Sequence, residues 1–373
     1  MAGEITALTM PKWGLAMTEG KLVAWNVAEG TPVAPGQPIV EIETEKITNV
    51  YEAPAGGVLR KCVAVAGDTL PVGALIGVLA DPSVSDEDIA RFIEEFRAEA
   101  PETSAAEAEA VRVASVTVNG RPIQYLKMGD AGGIPLLLVH GLGGDLNNWL
   151  FNQPVLAQKH TVYALDLPGH GGSTKDVGGG DIGAMTAAVV GFLDALSVDR
   201  AHFVGHSLGG GIALSAALEH PRRAATLTLI SPVGLGSEIN VDYIDGFIQS
   251  ERRKEMKVVL GRLFAKPEIV SNEMVNDVLK YKRLEGVKAA LSTIARAIFR
   301  GNKQGFIVRD RLSEISAPIQ IIWGEQDAII PSSQVAGLPA SVSVHMLAGV
   351  GHMAHMEQPQ EVNKLIERLV TSS

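Results

Sequence analysis

Two patterns of apolar and polar positions divide the chain near residue 110. Before that point, short apolar runs alternate with turns rich in glycine and proline, which is typical of small β domains. After it, longer apolar runs alternate with segments of helical spacing, which predicts a sheet with helices packed on both faces. We therefore expect an all-β domain over 1–80 and a doubly wound α/β domain over 111–373.

The first domain contains an internal repeat. Five residues recur as the same residue type 37 positions later: Gly20 and Gly57, Leu22 and Leu59, Gly30 and Gly67, Gly36 and Gly73, and Ile39 and Ile76. Each half predicts short strands, at 21–27 and 39–42 in the first half and at 58–65 and 75–79 in the second. Two such halves form a flattened β-sandwich or barrel, and the chain reverses between them at Thr44-Glu45-Lys46.

Lys46 is the residue at this reversal. The region resembles the lipoyl domain of the 2-oxoacid dehydrogenase family, in which the lysine at the hairpin tip carries lipoic acid through an amide bond. Biotinyl domains share the fold but place methionine on both sides of the lysine, whereas Glu45 and Ile47 flank Lys46. The resemblance therefore implies a lipoyl group on Lys46. The alternative is an ordinary exposed turn lysine.

The segment 81–110 has the composition of a linker, since nine acidic residues lie between Ser83 and Ala110 against two arginines. Within it, Ser85 and Asp88 form a capping-box pattern that precedes apolar residues at helical spacing. These are Ile89, Phe92, Ile93 and Phe96. We predict a short amphipathic helix, which packs either on one of the chain's own domains or on another protein. The segment 98–110 is expected to be mobile.

A serine nucleophile is predicted in the second domain. Its strands are expected at 113–118, 123–128, 134–140, 161–166, 201–205, 225–230, 319–323 and 343–347. The sequence Gly205-His206-Ser207-Leu208-Gly209 follows one of them and precedes a helical segment. This is the context of a nucleophile elbow, in which small residues permit a tight turn that exposes the serine hydroxyl.

Three further elements appear in the order that this kind of site requires: a turn before the serine, and then an aspartate and a histidine after it. The glycine-rich turn after His140 either places the backbone N–H of Leu142 with that of Leu208 in an oxyanion hole or serves only the geometry between strand and helix. Asp327 lies just past a strand and is expected to orient an imidazole, although it could instead cap the segment near Pro331. His352 follows the last strand and is the expected base. Its competitors are His355 and His345.

The whole second domain resembles the α/β-hydrolase superfamily, including the loop Asp166-Leu167-Pro168-Gly169-His170-Gly171. Strand patterns stop at about 236–311, where helical patterns at 241–252 and 275–300 match the helical cap of that superfamily. The cap contains six cations between Arg252 and Lys266, which either face solvent or meet an anionic ligand such as the phosphates of coenzyme A. The complete fold is thus expected to be a lipoyl-type flattened barrel followed by a doubly wound α/β-hydrolase sheet with a cap.

Composition limits the partners. The net charge of −10 argues against nucleic acid or an anionic membrane as the partner. No secretory signal pattern or membrane-spanning apolar run is present, so we expect a cytoplasmic protein. A single cysteine, Cys62, excludes an internal disulfide, and no metal site is expected.

The two domains together resemble the dihydrolipoamide acetyltransferase components of acetoin-cleaving complexes. This resemblance implies acetyl transfer from lipoamide on Lys46 to coenzyme A through Ser207, a homo-oligomeric core, and two partner enzymes. The partners are a thiamine-diphosphate-dependent acetoin dehydrogenase component and dihydrolipoamide dehydrogenase. The chain lacks the His-x-x-x-Asp-Gly acyltransferase signature and a peripheral-subunit-binding domain. The alternatives are a serine hydrolase of esters, thioesters or carbon–carbon bonds, or a carrier with a silent hydrolase domain.

Overall fold

The computed structural model describes residues 5–13, 17, 19–44, 48–99 and 113–372. Lys46 and most of the segment predicted to be mobile, from residue 100 onward, lie outside these ranges. The chain divides into two compact units, Met1–Val111 and Arg112–Ser373.

The first unit consists of two four-stranded antiparallel sheets, in the orders β1-β8-β6-β3 and β5-β4-β2-β7. Their strands are β1 Ile5–Thr9, β2 Glu19–Trp25, β3 Pro32–Val33, β4 Pro38–Glu43, β5 Thr48–Glu52, β6 Gly57–Cys62, β7 Thr69–Pro71 and β8 Leu75–Ala80.

The internal repeat explains the core of this unit. Leu22 and Leu59 are both fully buried between the sheets, as are Ile39 and Ile76. The four repeated turn glycines at 30, 36, 67 and 73 all have positive φ, a conformation that L side chains rarely adopt. Each half therefore supplies matching apolar anchors and matching turns.

The predicted amphipathic helix is present as α1, Asp86–Glu99. The Ser85 hydroxyl accepts a hydrogen bond from the backbone N–H of Asp88 at 3.1 Å, which caps the helix start. Its apolar residues, with Ile89 buried, pack in one cluster with Val78 and Ala80 of β8. Of the two alternatives, the apolar face thus packs on the chain's own first unit.

The second unit is built on an eight-stranded sheet in the order β18-β17-β14-β13-β11-β12-β10-β9. Strands β11 to β14, β17 and β18 are parallel, while β9 and β10 form an antiparallel hairpin at one edge. The strands are β9 Val113–Val118, β10 Arg121–Met128, β11 Leu136–Val139, β12 Val162–Leu165, β13 Ala201–His206, β14 Ala224–Ile230, β17 Ile319–Gly324 and β18 Val342–Leu347. Strands β11, β13, β14 and β17 are buried throughout, as expected for a sheet covered on both faces.

Helices cover this sheet and form the cap. They are α2 Gln153–Leu156, α3 Ile182–Ala195, α4 Leu208–Glu219, α5 Val241–Gln249, α6 Arg253–Gly261, α7 Asn272–Lys282, α8 Val287–Ile298, α9 Ala354–Glu357 and α10 Pro359–Thr371. In the described part of the chain, none of the helices combines the length and apolar character needed to cross a membrane.

Two expectations for the cap are wrong in detail. The helical stretch predicted at 275–300 is broken, because α7 ends at Lys282 and α8 starts after Gly286, whose left-handed φ of +81° redirects the chain. Strands also do not stop in the cap, because β15 Phe299–Arg300 and β16 Lys303–Gln304 form a short hairpin. Gly301, at φ +62°, allows this tight turn.

Candidate active site

The predicted site residues follow strands that end at one edge of the second unit's sheet. Strands β11, β13, β17 and β18 end at Val139, His206, Gly324 and Leu347. Because these strands are parallel, the residues just after them gather at the carboxyl edge, where doubly wound sheets place their sites. Leu142, Ser207, Asp327 and His352 therefore come to the same edge.

Ser207 lies in a strained turn between β13 and α4. Its φ of +53° and ψ of −112° are rare for a residue with a side chain. The turn is held by backbone hydrogen bonds, since the Ser207 N–H donates to Ile230 at 2.9 Å and its carbonyl accepts from Val233 at 3.0 Å. This geometry is that of a nucleophile elbow.

The elbow requires glycine on both sides of the serine. A Cβ atom at Gly205 would overlap the carbonyl oxygen of Gly209, and one at Gly209 would overlap the carbonyl oxygen of Val139. Both obstacles are backbone atoms, which cannot rotate away.

We expect Gly205→Ala to lower the free energy of unfolding by at least about 1–3 kcal/mol, because the added methyl group forces the backbone apart. The matched control is Gly183→Ala in α3, where the new Cβ meets nothing nearer than 3.4 Å. Gly→Ala at a compatible site stabilises by about 0.4–1 kcal/mol. Urea unfolding measures both variants. Equal midpoints would contradict the packing argument.

Asp327 and His352 form a buried pair. Asp327 Oδ2 lies 2.8 Å from His352 Nδ1 and also accepts a hydrogen bond from Trp323 Nε1 at 3.0 Å. Asp327 Oδ1 accepts the N–H groups of Ile329 and Ile330 at 2.8 and 2.9 Å. Thus the same carboxylate orients the imidazole and caps the following turn, so the two alternatives for Asp327 are not exclusive.

The charge of Asp327 is stabilised by its partners. Burial raises the pKa of this carboxyl group, but His352 and the two backbone hydrogen bonds outweigh burial and hold the pKa below its ordinary value. A charged carboxylate at Nδ1 leaves the Nε2 atom of His352 available to accept a proton.

The competing histidines are placed differently. His355 is fully buried against Trp149, with ring centroids 4.6 Å apart, and burial lowers its pKa to about 3. Neither of its ring nitrogens has a hydrogen-bond partner among the described residues. His345 lies on β18 and does not bond to Asp327. His352 is therefore the histidine that Asp327 orients.

Ser207 is connected to His352 through its neighbour His206. His206, next to Ser207, contacts His352 through ring centroids 4.7 Å apart and through its Nε2 atom, 3.0 Å from the His352 carbonyl oxygen. Over the described ranges, no hydrogen bond joins the Ser207 hydroxyl to His352. Such bonds are often long in enzymes without substrate and shorten when substrate binds.

Two free N–H groups belong to residues near Ser207: Leu208 follows it in the chain, and Leu142 follows Gly141, where an added Cβ would lie 3.1 Å from Ser207 Cβ. In the described part of the chain, the backbone N–H groups of Leu142 and Leu208 have no hydrogen-bond acceptor. The loop that carries Leu142 is fixed by the Gly143 N–H, which donates to His170 Nε2 at 3.0 Å. Burial keeps the pKa of His170 well below its ordinary value, so this nitrogen stays an acceptor. The arrangement can stabilise a developing oxyanion.

His170 and Trp323 were not among the predicted site residues. His170 belongs to the loop at 166–171, and Trp323 is the last large side chain of a strand four residues before Asp327. The sequence pattern gave no sign that a ring nitrogen of His170 contacts the Leu142 loop, or that the ring nitrogen of Trp323 contacts Asp327.

The cap is attached to the loop that carries His352. The His352 N–H donates to the carbonyl oxygen of Leu263 at 2.8 Å. The Glu357 carboxylate accepts the N–H groups of Gly351 and Ala265 at 2.8 and 2.9 Å. On the other side of the site, a Cβ at Gly143 would overlap the ring of Phe247 on α5. The cap therefore contacts both the base loop and the oxyanion loop.

Comparisons with known proteins agree with this architecture. Residues 134–359 match the family model described as "alpha/beta hydrolase fold", and residues 6–79 match the biotin and lipoyl attachment model described as "Biotin-requiring enzyme". A meta-cleavage product hydrolase has the same fold as the second unit, with a TM-score of 0.63 at 22% identity over 70% of this chain and 98% of the hydrolase. The chain is thus an α/β-hydrolase preceded by a lipoyl-type domain.

Two curated relatives match nearly the whole chain. The dihydrolipoyllysine-residue acetyltransferase component of the acetoin cleaving system from Cupriavidus necator is 42% identical over 98% of this chain and 97% of its own length. The component of the same description from Pseudomonas putida is 43% identical over 97% of each chain. The chain belongs to this family of acetyltransferase components.

Proposed function

We propose that this chain transfers an acetyl group from lipoic acid on Lys46 to coenzyme A, with Ser207 as the covalent nucleophile. The observation that carries the proposal is the buried Asp327–His352 pair beside the strained Ser207. A lipoyl-type domain in the same chain supplies the place for a carrier.

The chain's residues fit a lipoyl group. Strands β4 and β5 pair up to Glu43 and Thr48, so Lys46 belongs to the short connection at the end of a two-stranded ladder. A primary amine in this position can form the amide bond that holds lipoic acid. When attached, the group supplies a thiol that carries acetyl as a thioester.

In the first step, the Ser207 hydroxyl attacks the carbonyl carbon of an acetyl thioester. His352 Nε2 takes the serine proton, and Asp327 stabilises the imidazolium that results. The N–H groups of Leu142 and Leu208 hold the negative oxygen of the tetrahedral species. When the carbon–sulfur bond breaks, the departing thiolate takes the proton from His352, and acetyl remains on Ser207.

In the second step, the thiol of coenzyme A gives its proton to His352, and its sulfur attacks the acetyl group on Ser207. The ester bond then breaks, and the proton returns from His352 to the serine oxygen. Acetyl-coenzyme A leaves with no change in oxidation state. Water can compete for the acetyl group, so selectivity depends on how well the cap excludes it.

Asp327→Asn is expected to lower kcat for acetyl transfer by about 10³- to 10⁴-fold, because the amide favours the wrong imidazole tautomer. Asp199→Asn, at an exposed position, is the control and should leave kcat unchanged. Steady-state formation of acetyl-coenzyme A from free acetyl-dihydrolipoamide measures both. A loss of less than tenfold would remove Asp327 from the proposed triad.

Supplying acetyl-dihydrolipoamide with and without coenzyme A separates transfer from hydrolysis. We expect acetyl-coenzyme A as the main product and little acetate when coenzyme A is absent. Rapid acetate release that is independent of coenzyme A would favour the hydrolase alternative. Labelling by a fluorophosphonate at Ser207 would argue against a silent domain, because only an activated serine reacts.

The family name places the relatives in an acetoin cleaving system. We propose by analogy that a thiamine-diphosphate-dependent acetoin dehydrogenase component loads the acetyl group and that dihydrolipoamide dehydrogenase reoxidises the carrier. A homo-oligomeric core and a cytoplasmic location are part of the same proposal. Co-purification of the three components, with the mass of the assembled core, tests it.

A further inference from the structure

Charge is unevenly distributed along the chain. Residues 1–111 contain 18 acidic residues and seven basic ones, whereas the cap at 236–311 contains 15 basic residues and ten acidic ones. Although the whole chain has a net charge of −10, its first unit is strongly acidic and its cap is basic. Opposite fields of this kind speed encounter between surfaces and select the partner.

Four of the cap's 15 cations lie on the outer face of α6 or at its carboxyl end. Arg253, Lys254, Lys257 and Arg262 are all exposed there. They lie around Val258, of which 63% is exposed, together with one acidic residue, Glu255, which pairs with Arg252 at 3.9 Å. Among the residues that the structure describes, Arg253, Lys254 and Arg262 have no carboxylate partner. Arg253 and Lys254 also lie in the first turn of α6, where the helix dipole disfavours cations. We call this surface the α6 patch.

The helix that carries the α6 patch is connected to the loops of the active site. Two residues after α6 ends, the carbonyl oxygen of Leu263 accepts the N–H of His352 at 2.8 Å. On the inner side, Gly246 of α5 lies against Val259 of α6. The neighbouring Phe247 covers Gly143 of the oxyanion loop. A macromolecule bound at the α6 patch would therefore lie on a helix whose inner side and carboxyl end lead to the oxyanion loop and the base loop.

The sheet β5-β4-β2-β7 of the first unit has the opposite charge. We call it the lysine-bearing sheet, because Lys46 lies between β4 and β5 in the sequence. Its described strands contain four glutamates, Glu19, Glu41, Glu43 and Glu52, against a single cation, Lys21. Glu19, Glu41 and Glu43 form no ion pair within the described ranges. Glu45, next to Lys46, adds a further acidic residue in the sequence. Amide formation on Lys46 would also remove the positive charge of that lysine.

We propose that the α6 patch is the docking surface for the lysine-bearing sheet of a first unit supplied by a second copy of this chain. The inference rests on the proposed function, because it states how the carrier is recognised by the site that unloads it. Exposed cations attract the acidic sheet over a Debye length, and Val258 supplies an apolar contact at the centre. Docking then presents the carrier end beside the loop of His352.

The test uses full-length chains in trans. A Ser207→Ala chain carrying acetyl on its lipoyl group is the donor, and a Lys46→Arg chain, which cannot carry the group, is the acceptor. We expect Lys254→Glu/Lys257→Glu in the acceptor to lower kcat/KM for the donor chain by about 10-fold at low ionic strength. Added salt should slow the unmodified pair and reduce this difference. Arg222→Glu/Arg200→Glu, at exposed cations near the amino ends of β13 and β14, is the charge-matched control.

Free acetyl-dihydrolipoamide separates docking from chemistry. The Lys254→Glu/Lys257→Glu acceptor should use this small donor with unchanged kcat and with unchanged KM for coenzyme A. A raised KM for coenzyme A with either donor would overturn the proposal and assign the cations to the phosphates of coenzyme A. No loss with the donor chain would overturn it as well. Failure of every variant to use the small donor would instead count against the proposed function.

A second readout does not depend on catalysis. Carbodiimide couples lysine amines to nearby carboxylates, so we expect cross-links from Lys254 or Lys257 to Glu41, Glu43 or Glu45 of an isotope-labelled copy without lipoic acid. Peptide mass spectrometry identifies them. Cross-links from these lysines only to other acidic surfaces would overturn the proposed docking.

Discussion

Replacing Ser207 by alanine is expected to lower kcat for acetyl transfer by on the order of 10⁶-fold, because the covalent route disappears while binding and the oxyanion donors remain. The elbow itself should survive. Its hydrogen bonds come from the backbone of Ser207, and the substitution removes a single oxygen atom.

Ser197→Ala is a matched control for Ser207→Ala. Ser197 has a φ of +55°, close to the +53° of Ser207, but it is exposed at the end of α3. The same substitution at another residue with positive φ should leave kcat unchanged. Both variants are assayed for acetyl-coenzyme A from free acetyl-dihydrolipoamide. Activity of Ser207→Ala within tenfold of the unmodified chain would exclude a covalent serine.

Lys46→Arg is expected to abolish transfer of acetyl groups that the chain itself carries, because a guanidinium cannot form the amide bond to lipoic acid. The same variant should turn over free acetyl-dihydrolipoamide at the normal rate, since the described contacts of the second unit's site involve no residue of the first unit. Intact-mass measurement should show no lipoyl adduct on this variant.

Lys61→Arg provides the control for the carrier lysine. Lys61 lies on β6 of the same unit and pairs with Glu29 at 3.5 Å, an interaction that arginine can replace. It should keep both the adduct and the transfer. If the Lys46→Arg chain still acquired a lipoyl adduct, the attachment site would be another lysine.

The elements that local pattern controls could be predicted from the sequence. Leu22, Leu59, Ile39 and Ile76 repeat because each half of the first unit buries the same two anchors, so the repeat alone indicated the barrel. The buried strands of the second unit read as continuous apolar runs for the same reason. The family comparisons confirm both fold predictions.

The features that sequence reasoning missed depend on contacts between distant segments. The helical pattern around Gly286 did not show that this residue has a positive φ and lies between α7 and α8. The bond from Gly143 to His170 joins residues 27 positions apart, and no local spacing encodes it. The order of Ser207, Asp327 and His352 was visible because each follows a strand, whereas the role of Trp323 required the geometry of its ring nitrogen.

The most direct test follows one labelled acetyl group in a single turnover. Full-length chain with lipoic acid on Lys46 is loaded with labelled acetyl, quenched at intervals before and after coenzyme A is added, and digested for peptide mass spectrometry. The account predicts label on the Lys46 peptide first, then on the Ser207 peptide, and on coenzyme A only after its addition. Label that passes to coenzyme A at the full rate in the Ser207→Ala chain, without ever reaching the peptide of residue 207, would contradict it.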